Sequence, residues 1–108
     1  MTQPLKIGVL LSGSGTNLQA IIDEVRDAAL PVDIVKVVSS RPDAYGIERA
    51  KQAGIPVVVL NRQIYADPQA ADQMIVDELR AAGAEYVVMA GYMRKLTPVV
   101  LDAFPDRV

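Results

Sequence analysis

The chain has 108 residues, 51% of them hydrophobic, with 11 basic and 13 acidic side chains; this suits one domain over residues 1–108 with a real core, and the interspersed charges exclude a basic nucleic-acid-binding face. There is no cysteine and no histidine, which removes disulfides, thiolate metal sites, a cysteine nucleophile and the commonest neutral-pH general base, so no metal site is expected. No window reaches the eighteen apolar residues of a membrane span and no signal-peptide pattern precedes the first apolar run, so a cytoplasmic protein is the expectation.

Leu5 to Leu11 is a nearly continuous apolar run, which suits a strand covered on both faces. From Thr16 the period changes: Leu18, Ile21, Ile22, Val25 and Ala29 recur at helical spacing, with Gln19, Asp23, Glu24 and Arg26 opposite. Thr16 and Gln19 match a capping box, and Pro31 closes this helix. Val32 to Val38 reads as a second strand, running into the polar loop Ser39 to Asp43 with Asp43 as a helix cap. Tyr45 to Ala53 is a short helix stopped by Gly54, and Pro56 to Leu60 is a third strand.

Asp67-Pro68 has the chemistry of a cap followed by the first helical residue, and Ala71, Ile75, Leu79 and Ala82 line one face of a third helix ending at Gly83. Glu85 to Ala90 supplies a fourth strand. A second polar loop, Gly91 to Leu96, leads to a short helix begun by Thr97-Pro98 and ended by Phe104-Pro105, with Asp106 to Val108 as the lead-in to a further strand. The alternation predicts an α/β fold with a mainly parallel, Rossmann-like sheet. Ligands of such sheets collect beyond the carboxyl ends of the strands, where the loops Ser12 to Asn17 and Gly91 to Leu96 fall.

Ser12-Gly13-Ser14-Gly15-Thr16-Asn17 joins a buried strand to a helix amino terminus, where unpaired N–H groups and the helix dipole favour an anion. Gly13 and Gly15 permit tight or positive-φ turns and close backbone approach. Three readings stand: a phosphomonoester site, a turn that binds nothing, and an NADP-binding domain. The last lacks the third glycine of the dinucleotide fingerprint, Leu18 standing there, but Ser40-Arg41 after the second strand suits a 2′-phosphate. A P-loop is excluded for want of Gly-Lys-Ser/Thr; a non-catalytic phosphate-ligand or signalling module stays open as an alternative, though its receiver-like form is weakened by the lack of acidic residues at the strand ends. Asp23, Glu24 and Asp27 lie on the polar helix face and read as solvated charges rather than catalytic bases.

Val9 to Ile21, with its Ser-Gly-Ser-Gly-Thr-Asn core, resembles the opening of the phosphoribosylglycinamide formyltransferases. Asp43 to Ala50 resembles that family's second helix, and Ala90 to Pro98 the loop after its fourth strand. The three segments span nearly the whole chain in the family's order. Methionyl-tRNA formyltransferases and formyltetrahydrofolate hydrolases are similar in fold, but their first loops do not resemble this one. The resemblance implies transfer of a formyl group from 10-formyltetrahydrofolate to the amine of glycinamide ribonucleotide in purine biosynthesis. It implies that Gly15, Thr16 and Asn17 bind the ribose phosphate and that Met93, Arg94, Lys95 and Leu96 line the folate pocket. One departure stands out: where family members often place a folate-contacting arginine, this chain has Asp67, Pro68 and Gln69, with Arg62 as a substitute.

The family's Asn-x-His-Pro motif and later aspartate, which serve the tetrahedral intermediate and the proton transfers, align beyond Val108. The expectation is therefore a partial formyltransferase domain, truncated before the catalytic segment and inactive alone. An uncovered fourth strand, Tyr86 to Ala90, is expected to promote self-association.

Overall fold

The computed structural model describes residues 4–27 and 31–108. Its elements run β1 (Leu5–Leu11), α1 (Thr16–Arg26), β2 (Val32–Ser39), α2 (Gly46–Gln52), β3 (Val57–Val59), a 3₁₀ turn (Ile64–Ala66), α3 (Pro68–Ala81), β4 (Tyr86–Met89) and α4 (Pro98–Ala103). The four described strands are all parallel, in the order β3-β2-β1-β4. The α/β fold read from the alternation is the fold observed.

Strand alternation sends successive β1 side chains to opposite faces. Ile7, Val9 and Leu11 pack with Leu18, Ile47 and Ala50 of α1 and α2, while Leu10 packs with Ala71, Ile75 and Leu79 of α3 and Val100 of α4. A register shift between Ile7 and Gly8 inserts Val35 into β2, so Ile34 and Val37 share the α1–α2 face despite their odd spacing. Lys36 lies close enough to pair with Glu78 of α3 at 3.2 Å. From β1 the chain moves to one side for β2 and β3, then crosses back to place β4 on the other side. That reversal separates the connections leaving β1 and β4, which opens a crevice at the carboxyl ends of those two strands.

Several local expectations need correction. Thr16 is not a cap: Gly15 is the N-cap residue and no side chain caps α1, while the Gln19 side chain donates to Asp23 at 2.9 Å. Because Gly15 turns in the left-handed region, the helix begins one residue earlier than a capping box needs. Asp43 does not cap α2 either. Tyr45 is the N-cap, in helical conformation, and the Asp43 carboxylate is taken by Arg41 at 3.0 and 3.1 Å. The described part of α1 ends at Arg26, with the Asp27 N–H returning to Asp23 O, ahead of Pro31; Ala29 lies outside the described residues.

Asp67 and Thr97 do cap their helices, accepting from Ala70 N and Val99 N, each with proline in the first turn. The segment 106–108 forms no strand: Asp106 turns at φ 60° and Arg107 O accepts from Val87 N at 2.8 Å, a single bond on the outer edge of β4.

Candidate active site

The first loop is shaped by glycine contact. Gly15 has φ +77°, and a Cβ there would stand 2.5 Å from Gly46 Cα; a Cβ on Gly46 would stand 2.7 Å from a Leu11 methyl. The loop and the start of α2 therefore meet backbone to backbone, and the Gly46 N–H donates to Gly13 O at 3.1 Å. The Arg49 Nε–H donates to Ser14 O at 2.7 Å. Gly13 behaves differently from the expectation: nothing lies within 4 Å of a Cβ placed on it and its φ is not in the left-handed region. Thr16 and Asn17 are exposed at the start of α1, whose first-turn N–H groups have no side-chain cap. The helix end is thus open to an anion.

Two buried hydroxyls tie this loop to the others. Ser12 and Ser40, 1% and 2% exposed, share a hydrogen bond of 2.5 Å, and Ser12 Oγ also accepts the Met93 N–H at 2.8 Å. The ends of β1 and β2 and the loop after β4 are joined there. Ser40 is therefore spent internally, and Arg41 is paired with Asp43. Of the pair read as a 2′-phosphate site, the Ser40 hydroxyl is buried and bonded to Ser12, while Arg41 is exposed in a surface pair with Asp43.

The second loop closes one side of a cavity of about 500 Å³ lined by Tyr65, Pro68, Gln69, Asp72, Arg94, Lys95, Leu96, Thr97 and Pro98. Its size falls within the range of small-molecule sites, about 300–1,000 Å³. The Arg94 guanidinium lies 4.2 Å from the centre of the Tyr65 ring, a cation–π contact that holds the arginine along the wall. Tyr65 and Tyr92 share a hydrogen bond of 2.6 Å between their hydroxyls. Burial pushes both above the ordinary tyrosine value; on Tyr65 the Tyr92 hydroxyl and the Arg94 charge oppose that shift. Asp72, 2% exposed, accepts Thr97 N–H at 2.6 Å and Thr97 Oγ1–H at 2.7 Å through one oxygen, pinning the start of α4 to α3.

Arg94, Lys95 and Leu96 thus share one cavity, whereas Met93 is outside its lining and 82% exposed, engaged only through its backbone. Gln69 and Pro68 stand in the lining where the arginine is absent, and Arg62 does not. A slightly larger groove, about 530 Å³, runs between α1 and α2, from Gln19 and Arg49 behind the first loop to Asp33 and Ile34 near the start of β2.

Residues 5–108 match the formyl transferase family. The chain belongs to that family. It is 43% identical over 103 residues to phosphoribosylglycinamide formyltransferase of Haemophilus influenzae, covering 95% of this chain and 49% of that protein. It is 40% identical over 94 residues to the trifunctional purine biosynthetic protein of Drosophila melanogaster, covering 85% of this chain and 7% of that protein. The crystal structure of glycinamide ribonucleotide transformylase 1 from Symbiobacterium toebii superposes with a TM-score of 0.93 at 43% identity, covering 99% of this chain and 50% of that one. The chain spans about half the length of the bacterial proteins it matches.

Within this formyl transferase fold, sequence reasoning missed the residues that act through buried contacts. Asp72 carried a visible signal, a carboxylate inside the apolar stripe of Ala71, Ile75, Val76 and Leu79. Arg49 lay in a motif quoted for resemblance without a role. Ser12 and Ser40 were named as loop residues, but the bonds that join them to each other and to Met93, like the Tyr65–Tyr92 bond, carried no signal in one dimension, since the partners are 27 or more residues apart.

Proposed function

We propose that this chain is the phosphate-binding part of a phosphoribosylglycinamide formyltransferase, acting in the cytoplasm and forming a single domain over residues 1–108. The observation that carries the reading is the open end of α1: a left-handed Gly15 at the N-cap, no side-chain cap, and the neighbouring Gly13 and Ser14 carbonyls occupied by α2. The N–H groups of Gly15, Thr16 and Asn17 receive the phosphate of glycinamide ribonucleotide, with the dipole of α1 behind them. The cavity walled by Arg94, Lys95 and Leu96 receives 10-formyltetrahydrofolate. Its lining mixes apolar surface with the two cationic side chains, which suits a flat heteroaromatic body with a carboxylate-bearing tail. The Ser12–Met93 bond sets the spacing of the two ligands.

In formyl transfer the substrate amine attacks the formyl carbon, the tetrahedral oxyanion needs a donor, and the folate nitrogen leaves with a proton. Asp72 is committed to Thr97, and no group of three or more metal-ligating side chains occurs among the described residues. The motif to which the family resemblance assigns the proton-transfer and oxyanion roles has no counterpart in these 108 residues, which contain no histidine. The chain alone is accordingly expected to bind without turning over, and adding the catalytic segment of a family relative in trans is expected to produce formylated product. Turnover by the purified 108-residue chain, with contaminating enzyme excluded by a phosphate-loop variant, would contradict this.

A further inference from the structure

An anion-binding turn requires N–H groups facing the ligand and carbonyl oxygens facing away, because an inward carbonyl repels the anion. Two carbonyls of the first loop, those of Gly13 and Ser14, are in a position to intrude. The Gly13 oxygen is held by the Gly46 N–H at 3.1 Å and the Ser14 oxygen by Arg49 Nε–H at 2.7 Å. Arg49 is itself fixed: its Nη1 reaches Gln19 Oε1 at 3.4 Å and its guanidinium lies 5.0 Å from the Tyr45 ring centre. Unlike Arg26, Lys36 and Arg41, it pairs with no carboxylate among the described residues, so its charge behind the loop is not neutralised.

The Ser14 carbonyl and the Gly15 N–H belong to the same peptide unit. In a planar trans peptide these two groups point in opposite directions, so whatever fixes one fixes the other. Gly15 is buried, and its N–H has no acceptor among the described residues. We propose that Arg49 is a positioning residue of the phosphate site: by holding the Ser14 carbonyl toward α2 it aims the Gly15 N–H at the anion, and its charge favours the dianionic form. The inference rests on the reading of this loop as a phosphate site. It adds a role for α2, whose Gly46 and Arg49 hold the loop from behind without touching the ligand.

The test is an amide-resolved titration of the ¹⁵N-labelled 108-residue chain with inorganic phosphate and with ribose 5-phosphate. Arg49→Met, Arg49→Lys and, as a charge-matched control, Arg26→Met are compared with the parent. Arg49→Met is expected to weaken both ligands about tenfold or more, the scale of a charge-assisted hydrogen bond. It is also expected to shift the Gly15 ¹⁵N resonance before any ligand is added, since that nitrogen reports on the Ser14 carbonyl. Arg26→Met is expected to bind as the parent does. If Arg49→Met does not fold, Arg49→Lys carries the test. Lysine keeps the charge but not the fork that spans Ser14 and Gln19, so intermediate weakening with the same Gly15 shift is expected. Parent-like affinity in a folded Arg49→Met, or in Arg49→Lys when Arg49→Met does not fold, overturns the proposal while leaving the phosphate reading intact. A parent chain whose Gly15 to Asn17 amides ignore both ligands overturns the phosphate reading instead.

Discussion

Replacing Gly15 by alanine perturbs the feature on which the first loop is built. At φ +77° the left-handed backbone costs an L-residue about 1–2 kcal/mol. The added methyl stands 2.5 Å from Gly46 Cα and 3.1 Å from Arg49 Cδ. The first neighbour is backbone and cannot swing aside, so α2 must move, and such overpacking adds about 1–3 kcal/mol. Together these give a loss of about 2–5 kcal/mol, a large part of the roughly 5–15 kcal/mol that holds an ordinary domain folded. Urea unfolding followed by far-ultraviolet circular dichroism measures it, with Gly13→Ala alongside. Gly13 has open space around its would-be Cβ and no left-handed φ, so its variant is expected within about 0.5 kcal/mol of the parent. A Gly15→Ala loss under about 1 kcal/mol, or equal losses at both positions, would refute the claim that the loop is seated on α2 through Gly15.

The Tyr65–Tyr92 hydrogen bond predicts asymmetry: either single phenylalanine variant loses about 1–2 kcal/mol by stranding its partner, while the double variant recovers most of it, measurable as a double-mutant cycle in urea. Because the folded values of both hydroxyls are raised above the ordinary 10.0, their contribution is complete below about pH 10 and is lost as pH rises beyond it. The urea midpoint of the parent is expected to fall more steeply above pH 10 than that of the double variant, and parallel profiles would count against the assignment. Asp72→Ala leaves two Thr97 donors without their acceptor and is expected to cost about 2–3 kcal/mol, with faster amide exchange in residues 97–99 as the local signature. Apart from the bond to Arg107, β4 is an outer strand, and light scattering is expected to show apparent mass rising with concentration; a constant monomer mass at high concentration would refute that.

Architecture was legible because it is written in local periodicity. The apolar run of β1, the helical spacing of α3 and the Asp67-Pro68 and Thr97-Pro98 starts each specify their own element within a few residues. Caps failed where two chemistries competed for one residue. Asp43 suits a cap, but Arg41 two residues earlier captures its carboxylate; Thr16 suits a cap, but Gly15 can take the left-handed turn and starts the helix first. The candidate site was legible as two loops at one end of the sheet. The bonds that join them were not, since Ser12 meets Met93 only after four strands are in register. Likewise Arg94 could be named as a pocket residue, but its stacking on Tyr65 depends on a 3₁₀ turn that the sequence did not announce.

The central claim is that the open end of α1 holds a phosphomonoester of a ribonucleotide. Titration of the ¹⁵N-labelled chain with glycinamide ribonucleotide, with NADP as competitor, tests it most directly. The expected result is saturable displacement of the Gly15, Thr16 and Asn17 amide signals by glycinamide ribonucleotide, undisturbed by equimolar NADP. Silent amides at those three positions, or displacement by NADP alone with Ser40 and Arg41 responding, would contradict it.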